Sequence, residues 1–169
     1  MSRLFFALWP DAAARAGMAS VMDQFPADCG RFVMRQNLHI TLVFLGFVTE
    51  KQEQCVLTGA RNITLSPVIL TLSRLGWWQR PQVVWLAPEK IPDALAGLAD
   101  MLRSLAGQCG IKTDERPFYP HATLVRKVRK QFVLPEIAPV NWEVRDYCLV
   151  RSDTRAEGAT YQLIWSSTK

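Results

Sequence analysis

The sequence has little of what many enzymes use to bind metals or nucleotides. Histidine occurs only twice among 169 residues, and the four cysteines form no Cys-x-x-Cys pair. A zinc site built from closely spaced thiols is therefore improbable, and metal catalysis has few candidate ligands. The chain also contains neither a Gly-x-Gly-x-x-Gly phrase nor a P-loop, so no glycine-rich loop is available to cradle phosphates. We expect neither a metal nor a nucleotide cofactor.

Long apolar runs are missing as well. The longest, Leu38–Val48, is interrupted by polar residues and is too short to span a bilayer. The segment Met1–Pro10 has one basic residue and no convincing signal-peptide cleavage pattern. Scattered single cysteines in such a chain are mostly buried, reduced thiols, and this is predicted for Cys29, Cys55, Cys109 and Cys148. These features predict a cytoplasmic protein without a membrane segment.

Acidic residues are fewer than basic ones, which gives a net charge of +5. Ordinary solubility explains such a value, and attraction to phosphates is the functional alternative. The basic residues cluster in Arg126–Lys130, just after one of the motifs described below. With 49% hydrophobic residues and no Ser/Gly-rich linker, the chain is expected to form a single domain over residues 1–169.

Hydrophobic periodicity and turn residues predict strands and helices in alternation. Strands are predicted at 3–8, 31–35, 38–47, 68–75, 82–87, 121–126, 142–151 and 161–166. Helices are predicted at 11–24, from an N-cap at Thr49 to about Asn62, and at 92–108, with loops at 135–139 and 152–159. The order strand, helix, strand occurs twice. This order favours an α+β protein with two lobes and a common cleft over a doubly wound parallel sheet.

The two histidines occur in the same local phrase. Both Leu38–Leu42 and Pro120–Leu124 contain His-x-Thr-Leu within an apolar segment. Residues two apart on a strand point to one face, so His39 lies beside Thr41 and His121 beside Thr123. A single histidine in an apolar strand is more often structural than catalytic. The repetition in parallel positions of two similar halves favours one active site built from both.

Two imidazoles and two hydroxyls around a small volume suit displacement at phosphorus. One neutral imidazole can take a proton from water while the other, as imidazolium, protonates the departing oxygen. The threonine hydroxyls can donate hydrogen bonds to the phosphoryl oxygens that carry the charge. The residues alone therefore indicate acid–base chemistry on a phosphate ester.

The sequence resembles the 2H phosphoesterases, and within them the RNA 2′,3′-cyclic phosphodiesterase branch, also called the 2′-5′ RNA ligase family. The similar segments cover nearly the whole chain and include Arg3–Ala7, Asn37–Gly46, Val83–Leu86 and Arg116–Arg126. The resemblance implies a bilobal α+β fold whose two pseudo-symmetric lobes each hold a mainly antiparallel sheet and flanking helices. It places the active site in the cleft between them.

The resemblance also implies a reaction and a set of roles. The reaction is hydrolysis of an RNA-terminal 2′,3′-cyclic phosphate to a 2′-phosphate without metal or cofactor. His39 would protonate the leaving 3′-oxygen, and His121 would activate water. Thr41 and Thr123 would hold phosphoryl oxygens. Arg126 is expected to bind phosphate as well, although strict alternation from His121 sends it to the back face unless a bulge or the strand end turns it round.

Other residues are weaker candidates. Lys127, Arg129 and Lys130 are expected to form a solvated basic edge that steers RNA. Aromatic side chains could stack a terminal base, and the candidates are Phe6, Phe44, Trp77, Trp78 and Phe118. Phe6 and Phe44 are expected to be core residues, because aromatic residues in strands usually are. Trp77 and Trp78 follow a turn-like Gly76 and are the better candidates for stacking on a base.

Three alternatives stay open at this point. The partner could be RNA with a cyclic-phosphate end or a small cyclic nucleotide. The acid–base pair could also run in reverse and join 2′-5′ ends. A protein that binds RNA ends without turnover would show the same basic surface. One chain supplies both half-sites, so a monomer is expected.

Overall fold

The computed structural model describes residues 1–156 and 158–168. These residues form three helices, nine strands and one 3₁₀ turn at Arg35–Asn37. The strands are β1 (Ser2–Leu8), β2 (Arg31–Phe32), β3 (Ile40–Val48), β4 (Val68–Trp78), β5 (Val83–Pro88), β6 (Ala122–Arg126), β7 (Val140–Val144), β8 (Cys148–Arg155) and β9 (Gly158–Ser166). The helices are α1 (Ala12–Met22), α2 (Glu50–Ala60) and α3 (Asp93–Gln108).

The strands form one sheet in which all neighbours are antiparallel. Its order is β7-β4-β5-β6-β3-β1-β8-β9, with β2 paired to β6. Two half-sheets, β7-β4-β5-β6 and β3-β1-β8-β9, meet at the single residue pair Ile40–Ala122. The predicted α+β class with two similar halves is confirmed, and the halves share a continuous sheet.

The helices tie the two halves together. α1 follows β1 in the chain but packs against β7 of the other half, and α3 follows β5 but packs against β3. The N-cap predicted at Thr49 is confirmed, because Thr49 forms a capping box with Gln52. At the start of α1 the Asp11 side chain accepts from the Ala14 amide, so Asp11 caps the helix rather than beginning it. The main core lies between these helices and one face of the sheet. The opposite face, called the open face below, carries two smaller clusters of buried residues, one on each side of the junction.

Two sequence predictions about the C-terminal strands are wrong. The strand expected at 142–151 is two strands, β7 and β8, which lie in different halves of the sheet. Between them the buried Tyr147 donates a hydrogen bond from its hydroxyl to the Ala60 carbonyl oxygen at 2.9 Å, which anchors the crossing. Most of the loop expected at 152–159 instead belongs to β8 and β9, which pair as far as Arg155–Gly158, while position 157 lies outside the described residues. Long-range pairing, which periodicity does not report, decides both cases.

The strand expected at 31–35 is also shorter than predicted. It covers only Arg31–Phe32, and the 3₁₀ turn follows. β4 runs further than predicted and includes Trp77 and Trp78, which the sequence placed in a turn. Both deviations lie next to the cleft: Arg31 pairs with Arg126 on β6, and the Trp78 ring at the end of β4 contacts His121.

The prediction of four reduced thiols is wrong for one pair. Cys55 on α2 and Cys109 at the end of α3 form a disulfide with a Cα–Cα distance of 5.8 Å. The two helices pack side by side and bring these positions together, which linear spacing does not reveal. Cys29 and Cys148 are free, and Cys148 is buried as expected. Among the described residues, no helix is both long and apolar enough to cross a bilayer.

Candidate active site

The two His-x-Thr motifs meet where the half-sheets join. Ile40 pairs with Ala122 in an antiparallel register, which sets His39 opposite Thr123 and Thr41 opposite His121. Ile40 and Ala122 are fully buried on the helix side, so the residues flanking them point to the open face. The two imidazoles are diagonal neighbours there, a relation that places Cα atoms about 7–8 Å apart. All four predicted motif side chains therefore share one cleft.

The backbone fixes the tautomer of both rings in the same way. Nδ1 of His39 lies 2.7 Å from the Asn37 carbonyl oxygen, and Nδ1 of His121 lies 2.8 Å from the Tyr119 carbonyl oxygen. A carbonyl oxygen only accepts, so each Nδ1 carries the hydrogen and donates it. In the neutral rings Nε2 is then the free basic atom. Each histidine precedes its strand by one residue, and this position allows the bond to the carbonyl two residues earlier.

Aromatic side chains enclose His39 on several sides. Trp9 stacks face to face on the imidazole, with ring centroids 5.3 Å apart and an interplanar angle of 5°. Tyr161 contacts it edge-on at 5.2 Å, and Phe5 lies 5.1 Å away. These contacts hold the ring in one orientation and leave it half-buried.

His121 has an aromatic neighbourhood of its own. Trp78 meets it nearly edge-on, with ring centroids 4.7 Å apart and an angle of 75°. Tyr119 lies 6.2 Å away, and Trp85 supports both Trp78 and Tyr119. Gly76 makes room for this arrangement, since a Cβ there would lie 2.0 Å from the Trp85 ring.

Burial and a nearby cation keep both imidazoles neutral in the free protein. Desolvation is the main cause, and it lowers the pKa of His39 to about 4 and the pKa of His121 below its usual value. Hydrogen bonds to the backbone oppose this shift, while the positive charge of Arg126 adds to it for both rings. The His121 charge also lowers the pKa of His39. Arg126 and the two rings are therefore electrostatically coupled in one site.

The same β-bulge occurs in both motif strands. In β3 the pairing with β1 skips Leu42, and in β6 the pairing with β5 skips Leu124. Each skipped leucine and the valine after it are buried, which reverses the alternation that the sequence suggests. The residue five positions after each histidine is thereby turned to the open face. This explains how Arg126 influences both imidazoles despite its odd offset.

The equivalent position in the first half is Phe44. Its ring lies 5.9 Å from that of Phe5, which itself contacts His39, and 59% of its surface is exposed. The sequence-based view of Phe44 as a core residue is therefore wrong. The repeat is longer than His-x-Thr-Leu, and it ends in an aromatic residue in one half and a cation in the other.

The remaining aromatic candidates divide between core and cleft. Phe6 is fully buried, and Phe118 is half-buried against the main core. Trp77 also packs on the main core and donates its indole N–H to the Val128 carbonyl oxygen. Only Trp78 joins Phe44 in the cleft. Sequence reasoning missed Trp9, Tyr161 and Tyr119, and only Tyr119 carried a signal, because it stands two residues before a motif histidine.

The basic segment follows the motif at the edge of the cleft. Lys127, Arg129 and Lys130 are exposed, as expected for a solvated edge. Arg31 on β2 pairs with Arg126 on β6, so two arginines lie side by side at the rim. Within residues 1–156 and 158–168, no group of three or more His, Cys, Asp or Glu side chains is arranged to hold a metal ion. The donors that face the cleft suit an anion.

Comparisons with known proteins agree on the family. A model of the 2′-5′ RNA ligase superfamily matches residues 9–156. The RNA 2′,3′-cyclic phosphodiesterase of Escherichia coli K12 is 40% identical over 134 residues, which are 79% of this chain and 76% of that protein. The RNA 2′,3′-cyclic phosphodiesterase of Archaeoglobus fulgidus is 28% identical and covers 95% of this chain and 96% of its own.

Solved structures extend the similarity to the fold. A crystal structure described as a phosphoesterase aligns with a TM-score of 0.92 at 34% identity, over 98% of this chain and 96% of its own. E. coli LigT in its apo form aligns with a TM-score of 0.90 at 34% identity, over 98% and 95% of the two chains. LigT has also been solved with phosphate, 3′-AMP, ATP and NADP+. The resemblance and the enzyme class predicted from the two motifs are confirmed. This chain belongs to the 2′-5′ RNA ligase superfamily.

Proposed function

We propose that this chain hydrolyses the 2′,3′-cyclic phosphate at the end of an RNA to a 2′-phosphate, with His39 and His121 as its acid and base. The observation that carries the proposal is the Ile40–Ala122 junction, which brings two imidazoles with the same tautomer to one cleft. Relatives with the name RNA 2′,3′-cyclic phosphodiesterase support the substrate class.

The reaction needs one proton taken and one given. Nε2 of neutral His121 accepts a proton from water, and the water oxygen forms a bond to phosphorus. The bond from phosphorus to the 3′-oxygen breaks, and protonated His39 donates its Nε2 proton to that oxygen. The assignment of acid and base follows the family resemblance. Because burial lowers the pKa of His39 to about 4, the substrate phosphate must favour its protonated form by partly neutralising the nearby positive charge.

The other polar groups stabilise the charge on phosphorus. Thr41 and Thr123 are half-buried and flank the two imidazoles across the strand junction. Their hydroxyls donate to the non-bridging oxygens, while the Arg126 guanidinium binds the same oxygens. Phe44 offers its exposed ring to the terminal base. Phosphate and base recognition are thereby divided between the two halves.

A small cyclic nucleotide is the second candidate substrate. The specific observation in its favour is that LigT has been solved with the single nucleotides 3′-AMP and ATP. Reverse action, the joining of RNA ends through a 2′-5′ bond, uses the same two histidines in exchanged roles. The exposed basic edge formed by Lys127, Arg129 and Lys130 favours RNA, since a polyanion offers further phosphates for these side chains to attract.

We further propose that the chain works as a monomer and as one domain in the cytoplasm. Both histidines come from the same chain, and the two half-sheets share Ile40–Ala122 and exchange helix contacts. A single chain therefore completes the site. The names of the relatives, which describe enzymes that act on RNA, are consistent with this location.

The test is turnover of an oligonucleotide that ends in a 2′,3′-cyclic phosphate, followed by product analysis. The proposal predicts a 2′-phosphate product, an unchanged rate in EDTA, and loss of activity in His39→Ala and His121→Ala variants that remain folded. A 3′-phosphate product would overturn the assigned reaction. A near wild-type rate in either folded variant would overturn the two-histidine mechanism.

A further inference from the structure

The open face of β3 continues beyond Phe44. The pairing with β1 places Thr41 opposite Ala7, Phe44 opposite Phe5, and Phe47 opposite Arg3. Directly opposed residues point to the same side of a sheet, and alternate residues of β1 share a face. Thr41, Phe44 and Phe47 therefore form one row that leads away from the histidines along the cleft face.

A second bulge in β3 creates this row. The pairing skips Leu45, and Gly46 adopts a φ of +70°. Residues three apart in a regular strand face opposite sides, so without the bulge Phe47 would point away from Phe44. A positive φ favours glycine, and a Cβ at Gly46 would meet nothing within 4 Å. The backbone conformation, rather than crowding, thus accounts for glycine at this position.

Phe47 is unusually exposed for an aromatic strand residue. Its surface is 70% exposed, more than that of Phe44, and the two rings extend one apolar strip on the open face. Exposed apolar strips that continue a binding site mark ligand surfaces. Along β1 the step from Phe5 to Arg3 is about 7 Å, which is close to the spacing of successive nucleotides in an extended single strand.

A cation lies beside this second ring. Arg3 is exposed, and its Nη1 donates to Thr154 Oγ1 at 3.2 Å, which holds the guanidinium between β1 and β8. An aromatic ring next to an arginine suits a base and the phosphate that links it to its neighbour. A single nucleotide would not contact this pair, because in the proposed complex its base stacks on Phe44.

We propose that Phe47 and Arg3 form a subsite for the nucleotide immediately upstream of the cyclic-phosphate end. This inference rests on the proposed function and specifies its substrate as RNA with at least two nucleotides. The terminal phosphate lies at His39 and His121, the terminal base stacks on Phe44, and the preceding base stacks on Phe47. The preference for an oligonucleotide over a mononucleotide is then built into β3.

The test measures binding of 2′-AMP and of the dinucleotide ApA carrying a 2′-phosphate, in wild-type and variant proteins. Wild type is expected to bind the dinucleotide at least tenfold more tightly. Phe47→Ala should remove most of this preference, Phe47→Trp should retain it, and Arg3→Gln should reduce it and weaken its dependence on salt. Val133→Ala is the matched control, because Val133 is 94% exposed and lies on a loop outside β3.

The outcomes separate this inference from the proposed function. Equal affinity of wild type for both ligands would overturn the subsite, as would an equal loss for both ligands in Phe47→Ala. Hydrolysis of the corresponding cyclic phosphates is measured in parallel and reports on the proposed reaction alone. A binding preference that depends on Phe47 supports the subsite whichever product the reaction gives.

Discussion

The two halves of the cleft are built alike but differ in what they present to a substrate. Each has a histidine whose Nδ1 is bonded to the carbonyl oxygen two residues earlier, a threonine two residues later, and a bulge at the following leucine. After the bulge one half exposes Phe44 and the other exposes Arg126. In the proposed mechanism the repeated backbone supplies two equivalent proton-transfer groups, and the differing fifth residue divides recognition between base and phosphate.

The rings around the two histidines differ as well. His39 is stacked face to face by Trp9, whereas His121 is met edge-on by Trp78. The face of an indole attracts a cation, so the stacked Trp9 opposes part of the cost that burial imposes on a protonated His39. This arrangement agrees with a histidine that must hold a proton only when substrate is bound.

Removal of either imidazole tests whether the halves are equivalent, and it has the largest expected effect. General acid or base catalysis contributes roughly 10²–10⁴-fold, so His39→Ala and His121→Ala should each lower kcat by about 10³-fold. The double variant should lose little more than either single one, because the two groups act in one step. Single-turnover hydrolysis measures this, with circular dichroism as the control for folding. Additive losses would show that the histidines act independently.

The stability of the protein in acid should depend more on His39 than on His121. A pKa that is lower in the folded state means that the unfolded chain binds more protons, so the free energy of unfolding falls as pH drops. For His39 this loss begins near pH 6.5, ends near pH 4, and reaches on the order of 3 kcal/mol. Urea unfolding at several pH values should show a clearly weaker dependence in His39→Gln. The same dependence in both proteins would contradict the account.

The proposed division of recognition between the halves is tested at Arg126 and Phe44, the two residues that the bulges turn to the open face. Arg126→Gln should lower kcat/KM by about 10²-fold for any cyclic phosphate, because it removes a charge-assisted bond to phosphate. Phe44→Leu should cost about tenfold for nucleotides, and it should leave the affinity for inorganic phosphate less affected. Inhibition by phosphate and by 2′-AMP, measured on both variants, separates the two effects. If Phe44→Leu weakens the binding of phosphate as much as the binding of 2′-AMP, the proposed division of roles is wrong.

The smallest expected effects concern two glycines. Gly76→Ala forces a methyl group against the Trp85 ring and should destabilise the protein by about 1–3 kcal/mol. Gly97→Ala is the matched control: it lies within α3, a Cβ there meets nothing within 4 Å, and it should stabilise by about 0.5–1 kcal/mol. Thermal unfolding measures both. Equal changes in Tm for the two variants would show that the packing of Trp85 does not require the missing side chain at Gly76.

Local signals in the sequence predicted much of the fold and the centre of the site. The N-cap predicted at Thr49 located the start of α2, and the repeated His-x-Thr-Leu identified the residues that meet at the junction. These features depend on neighbours within a few positions. They can therefore be recognised from the sequence without a structure.

What the sequence could not predict depends on contacts between distant segments. Alternation sent Arg126 and Phe44 away from the cleft, because a bulge reveals itself only in the pairing of two strands. The Cys55–Cys109 disulfide requires two helices to pack together, and the contact of Trp9 with His39 requires β1 to lie beside β3. Neither the composition nor the local pattern of the sequence predicts such contacts between distant segments.

The central claim is that two imidazoles with the same tautomer present Nε2 to one phosphate. The most direct measurement is ¹⁵N NMR of both histidine rings over a pH titration, with and without inorganic phosphate. The account predicts neutral rings with hydrogen on Nδ1, a pKa below 6.5 for both, and a raised pKa for at least one when phosphate binds. Hydrogen on Nε2 of either neutral ring, or a phosphate that perturbs neither, would contradict it.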